Sequence, residues 1–215
     1  MRICKWFTAG LVLVSSLTNY VQAMEFDFSP LSSLCRIEVN LTTGFGRGNL
    51  RGTFAKISGN LNFDPENPQV TKGKIILSSR SLRFGHARVA YDTHSSDWLD
   101  SSKHPEIIFQ LNSLSECSWH DRELRAIGNG TLQIKGILKE VTLPLSFHYY
   151  RDKRRKYEGK KGDLLRLDGL LSLPRSQFGL SPNSQLEVIK EDIQVRISVT
   201  GVSDRVRPFL PSKHF

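Results

Sequence analysis

The ten residues from Asp192 to Gly201, D-I-Q-V-R-I-S-V-T-G, place Ile193, Val195, Ile197 and Val199 on one side and mostly polar residues on the other. A period of two with β-branched residues on one side marks an antiparallel strand with one buried face. The alternation returns between turn signals and predicts strands near 34–42, 49–63, 71–80, 84–91, 105–114, 123–136, 139–151, 163–175 and 190–202. Their apolar sides form matching sets: Ile37, Val39 and Leu41; Ile107, Phe109 and Leu111; Val141, Leu143, Leu145, Phe147 and Tyr149; Leu165, Leu167, Leu171 and Leu173. Between 94 and 104, H-S-S-D-W-L-D-S-S-K-H loses the alternation and carries capping serines, which predicts one short helix starting near Asp97. No long helical pattern and no repeat interrupts this series. An all-β antiparallel barrel follows, because closure removes exposed strand edges.

The first 23 residues read differently. Arg2 and Lys5 precede an apolar run from Trp6 to Leu17, and Val21-Gln22-Ala23 offers a small-residue exit. That order predicts a secretory signal peptide over residues 1–23, since the run is shorter than the roughly 20 residues a membrane anchor needs. Cys4 precedes the run and cannot be a lipobox cysteine. Residues 24–215 are then expected to form a single β-domain, soluble and located in the periplasm or secreted. Loss of Arg2 and Lys5 lowers the formal net charge of +9 by two, leaving a basic chain suited to anionic surfaces. Export argues against nucleic acid as the partner. Cys35 and Cys117 remain as an even pair in an oxidising compartment, a candidate disulfide whose alternative is two free thiols in apolar surroundings. Bridging so long a loop would contribute roughly 4 kcal/mol or more in the chain-entropy model.

Four patches resemble the YceI-like family, whose bacterial members are exported lipocalin-like barrels that bind polyisoprenoids. Asp97 to Phe109, D-W-L-D-S-S-K-H-P-E-I-I-F, is similar to the family's short helix and its strand entry, with His104 where the family has tyrosine. Gly130 to Leu145, G-T-L-Q-I-K-G-I-L-K-E-V-T-L-P-L, resembles the family's Gly-x-Leu-x-Ile-x-Gly-x-x-Lys-x-Val-x-Leu-Pro hairpin. Arg175 to Leu180, R-S-Q-F-G-L, is like its Arg-x-x-Phe-Gly-Leu, and the closing strand ends at Val202. The first third departs: the family's early His-Ser segment is here T-G-F-G-R-G-N, and its Arg/Asp-rich run is thinned to R-V-A-Y-D-T-H. The resemblance implies a lipocalin-like antiparallel eight-stranded β-barrel with one short helix, no catalysis and no cofactor. It further implies an isoprenoid quinone or polyprenyl lipid as ligand, a link to stress or membrane redox, and a homodimer.

An eight-stranded barrel is wide enough to be filled by side chains or to hold one small ligand, and the alternation does not separate the two. The candidate apolar lining is Ile37, Val39, Leu41, Phe109, Leu143, Leu145, Phe147, Leu167, Leu171, Phe178, Ile193, Val195 and Ile197; the competing reading of each is ordinary core. Phe178 either plugs a barrel end or joins a cavity mouth. Gly136 lies between two alternating runs and predicts a tight hairpin with positive φ, while Pro144, lacking an amide donor, belongs at an edge, a bulge or an unpaired position. R-D-K-R-R-K-Y-E-G-K-K-G-D at 151–163 is a hairpin tip whose Lys153, Arg154, Arg155, Lys156, Lys160 and Lys161 are either a solvated loop or a docking site for anionic membrane. An interaction protein with a filled barrel, contacting membrane or a partner through this loop and the C-terminal V-R-P-F-L-P-S-K-H-F, is the alternative to a lipid carrier.

Other motifs dissolve. G-F-G-R-G at 44–48 lacks the helix a dinucleotide loop requires, His94, Asp97, His104 and His120 have no metal-ligand spacing, and no serine lies on a nucleophile elbow. N-L-T at 40–42 and N-G-T at 129–131 fit a glycosylation pattern that matters only in a eukaryotic secretory pathway.

Overall fold

The computed structural model describes residues 23–43, 48–180 and 189–208. The expected signal peptide apart from Ala23, most of the 44–48 glycine loop and most of the C-terminal segment lie outside the described residues. Among the described residues, eleven strands form one antiparallel sheet. They are β1 Met24–Asp27, β2 Arg36–Thr43, β3 Asn49–Phe54, β4 Ile57–Phe63, β5 Lys72–Ser78, β6 Leu82–Phe84, β7 Glu106–His120, β8 Glu123–Ile134, β9 Ile137–Tyr150, β10 Leu164–Pro174 and β11 Ile189–Val202. Helix α1 spans Ala87–His94, and a single helical turn, α2, spans Arg155–Glu158.

The ring runs β1-β4-β5-β7-β8-β9-β10-β11 and returns to β1 where Asp27 stands opposite Val202, giving an eight-stranded barrel. β2, β3 and β6 continue the positions of β1, β4 and β5 past local breaks, with β2 pairing the first half of β11. The break in the expected 49–63 strand falls at Ala55 and Lys56. There Ser81 accepts both freed amides, Ala55 N–H on its carbonyl at 3.1 Å and Lys56 N–H on its hydroxyl at 3.1 Å. The β8–β9 hairpin turns at Lys135 (φ 51°) and Gly136 (φ 76°), as its sequence predicts.

Two local expectations fail. Residues 84–91 are not a strand: β6 stops at Phe84, and the helix begins at Ala87, ten residues before the expected start at Asp97. Gly85 ends the strand, and Val89 and Thr93, four apart, bury one helical face where alternation had been read. Residues 97–103 instead form turns, with Asp100 at φ 43°. β1 was also missed, because M-E-F-D is too short to display a period.

The interior divides into two halves. At the end of the 151–163 loop, aromatic rings fill the barrel: Phe26, Phe28, Phe63 and Phe147 are fully buried, Phe63 stacks on Phe147 at 5.5 Å, and Phe26 meets Tyr149 edge-on at 6.1 Å. Toward the β8–β9 hairpin, the inward residues are mostly aliphatic and narrower. Leu145 separates the halves, occupying space left by Gly128 and Gly169, where an added Cβ would come within 2.6 and 2.7 Å of its side chain.

Candidate functional site

A cavity occupies the aliphatic half. Its volume is about 100 Å³. It is therefore a narrow slot. Of the residues singled out in the sequence, Ile37, Val39, Leu41, Phe109, Leu143, Leu171, Ile193, Val195 and Ile197 line it. Their register explains the convergence: Val39 faces Val195, Leu41 faces Ile193, and Leu171 faces Val195 across the ladders, so one parity of β2, β10 and β11 points inward.

Leu145, Phe147, Leu167 and Phe178 do not line the cavity. Phe147 belongs to the aromatic half and Leu167, opposite it on β10, is buried beside it. Phe178 is buried at the end of the 3-10 turn Arg175–Phe178, and the chain then swings through Gly179 (φ 59°) to put Leu180 on the cavity instead. Sequence reading also missed Phe54, Ile75, Leu77, Leu82, Phe84, Thr93, Trp98, Leu99, Ile107, Leu132, Ile134, Leu173 and Leu180 as lining. Leu132 and Ile134 carried a usable signal, the parity of β8. Trp98 and Leu99 carried none, because they sit in turns.

The upper wall is held by backbone contacts. His94 uses both ring nitrogens, on the Leu82 carbonyl at 3.0 Å and the Ser101 hydroxyl at 2.9 Å. Arg80 donates to Ser101 O at 3.1 Å, and Ser79 Oγ to His104 O at 2.6 Å. Lys135 Nζ reaches Gly179 O at 2.9 Å and Asp97 O at 3.4 Å, tying the hairpin to both neighbouring segments. Thr93 is the one polar residue of the lining described, and its hydroxyl donates to Ala90 O at 3.0 Å. The site has the chemistry to desolvate an apolar chain. Among the described residues no three His, Cys, Asp or Glu side chains gather as metal ligands.

The β9–β10 ladder ends where Leu145 faces Gly169. Pro144 is the next β9 residue and has no partner on β10 among the described residues, as its missing amide predicts.

The opposite end is locked by the Asp163 carboxylate, which is fully buried and accepts from Asp152 N at 2.7 Å, Arg207 N at 2.8 Å and the Tyr149 hydroxyl. Burial and the Asp163 carboxylate push the Tyr149 hydroxyl far above its ordinary pKa. The basic loop lies at this end, away from the cavity. Lys153, Arg155, Lys156, Lys160 and Lys161 are exposed, but Arg154 is buried, ion-paired with Glu158 at 2.7 Å and with Asp204. Arg154 is thus a fixed internal cation rather than a docking residue.

The Cys35–Cys117 disulfide is not formed; both thiols are free. Cys35 is buried at the entry to β2, beside Thr200 of β11, whose N–H donates to its sulfur at 3.4 Å. Cys117 lies on β7, across the ring from β11. Burial raises the pKa of both thiols.

An eight-stranded barrel with an apolar internal slot defines a lipocalin-like class of protein. The sequence model of the YceI-like domain matches residues 28–201, and the chain belongs to that family. It is 26% identical over 195 residues to a UPF0312 protein of Azotobacter vinelandii, covering 90% of this chain and 96% of the relative. It is 27% identical over 156 residues to Protein YceI of Salmonella arizonae, covering 73% and 75%. Among solved structures, Burkholderia cenocepacia BcnA superposes with a TM-score of 0.64 at 17% identity, covering 79% of this chain and 97% of that one. A polyisoprenoid binding domain from Saccharophagus degradans, implicated in plant cell wall breakdown, superposes at 0.59 with 9% identity, covering 85% and 99%.

Proposed function

We propose that this chain is a non-catalytic carrier that takes an isoprenoid chain, such as a quinone tail or polyprenyl lipid, into the aliphatic half of its barrel. The observation that carries the reading is the half-open interior: aromatic side chains fill one end, and the other keeps a slot lined by aliphatic and aromatic groups. Burying each isoprene unit, five carbons at roughly 0.8 kcal/mol each, yields ~4 kcal/mol gross. Against an association cost of ~4 to 15 kcal/mol, tight binding needs several units, and the slot must widen to admit them. Membership of the YceI-like family and the likeness to a polyisoprenoid binding domain support the ligand class. The absence of titratable side chains from the described lining favours binding over acid–base catalysis. The leader-like residues 1–23 support a periplasmic or secreted location.

The test is native mass spectrometry with organic extraction on protein isolated from its own compartment without detergent. An adduct of isoprenoid mass is expected, and Val195→Trp or Phe109→Trp should displace it while the variant still unfolds cooperatively. An empty protein that also refuses added quinone and polyprenyl lipid would sink the carrier reading in favour of an interaction protein.

A further inference from the structure

The cavity and the densest basic loop lie at opposite ends of the barrel, so a lipid carrier needs another surface to meet a membrane. The β8–β9 hairpin supplies one. Residues 137–140 are exposed on both faces of the strand and lie at the rim of the barrel. Ile137 and Leu138 at the tip are 36% and 61% exposed, although each is a large aliphatic residue. Ile137 faces Ile134 and Lys139 faces Leu132 across the ladder, and both partners line the cavity. Ile137 thus continues the apolar face of Ile134 from the slot to the tip. Lys139 stands at its edge, exposed, with Glu140 as the adjacent acid on the other face. A cation beside two protruding aliphatic residues suits the boundary between acyl chains and phosphates. Lys135 is committed to the Gly179 and Asp97 carbonyls and holds the hairpin in place.

We propose that the β8–β9 tip, through Ile137, Leu138 and Lys139, is the surface by which this barrel engages a phospholipid bilayer at its cavity end. The proposal rests on the carrier reading for its purpose, but it is measured separately. Mature protein is floated with vesicles of phosphatidylethanolamine and phosphatidylglycerol, and polyprenol uptake is followed from the same vesicles and from a cyclodextrin complex.

Ile137→Ser with Leu138→Ser should cut both flotation and uptake from vesicles by about tenfold, leaving uptake from cyclodextrin unchanged. Leu138→Trp, which enlarges the apolar tip, should raise flotation, and wild-type flotation should survive raised salt because insertion is apolar. Unchanged flotation in the double Ser variant would overturn the proposal. So would its loss in Lys160→Glu with Lys161→Glu alone, which would move docking to the far loop. If wild type takes up no prenol from cyclodextrin, the carrier reading fails, and flotation alone still judges the docking surface.

Discussion

Truncating a leucine should cost less on the cavity wall than in the aromatic half, and the difference measures whether the slot is empty. Leu124 on β8 is fully buried and faces Phe147 across the ladder; Leu171 on β10 is 7% exposed and lines the slot. Removing three carbons forfeits about 2.4 kcal/mol of transfer free energy at either site, at roughly 0.8 kcal/mol per methylene. At Leu124 the packed aromatic surroundings cannot collapse, and a new void of about 70 Å³ adds ~1.7 kcal/mol at about 24 cal/mol per Å³. At Leu171 one side of the leucine already faces free volume, so the lost packing is roughly half as large. Leu124→Ala should cost about 4 kcal/mol and Leu171→Ala about 3 kcal/mol. With a urea m-value of about 2 kcal/mol per molar, the midpoints should differ by roughly 0.5 M. Equilibrium urea unfolding of delipidated protein reads this directly. Saturation with ligand should then stabilise wild type by about 2.7 kcal/mol at a hundredfold excess over Kd. Equal midpoints for the two variants, with no ligand shift in wild type, would refute the division of the barrel into filled and open halves.

Other consequences follow from the locked end, the thiols and the backbone. Because Tyr149 is held protonated by burial and by Asp163, the unfolded chain ionises it first; its contribution to stability is full below about pH 10 and is lost as pH rises further. Wild type should therefore lose stability above about pH 10 more steeply than Tyr149→Phe, and parallel pH–stability curves would contradict the assignment. Asp163→Ala strands three donors and should cost about 3 kcal/mol or more, read as a fall in Tm. Native protein should expose Cys117 to Ellman's reagent before the buried Cys35, and a non-reduced mass lacking two hydrogens would show a bridge instead. Gly59 sits at φ 130° with Lys74 O 2.0 Å from any added Cβ, so Gly59→Ala should open the β4–β5 ladder at a cost of about 3 kcal/mol; amide exchange confined to wild-type rates there would refute this.

The sequence by itself determined the all-β architecture, the hairpin at Lys135 and Gly136, and the inward parity of Val39, Val195, Leu171 and Ile193, because a period of two is a local property of the chain. It also carried the hairpin and Arg-x-x-Phe-Gly-Leu patches that resemble the family. Tertiary structure decided which inward residues meet a void. Phe147 and Val195 share the same alternation, yet one stacks on Phe63 and the other faces the slot, because the size of the side chains arriving from other strands sets the free volume. It likewise decided that Arg154 pairs with Glu158 and Asp204 instead of facing solvent, and that Cys35 and Cys117 stand apart. Helix α1 was misread as strand because Val89 and Thr93, four apart, become one face only once β6 ends at Phe84 and the helix is laid over the barrel. Alternation fixes which way a side chain points; what it meets there is set by residues distant in the chain, through closure of the ring.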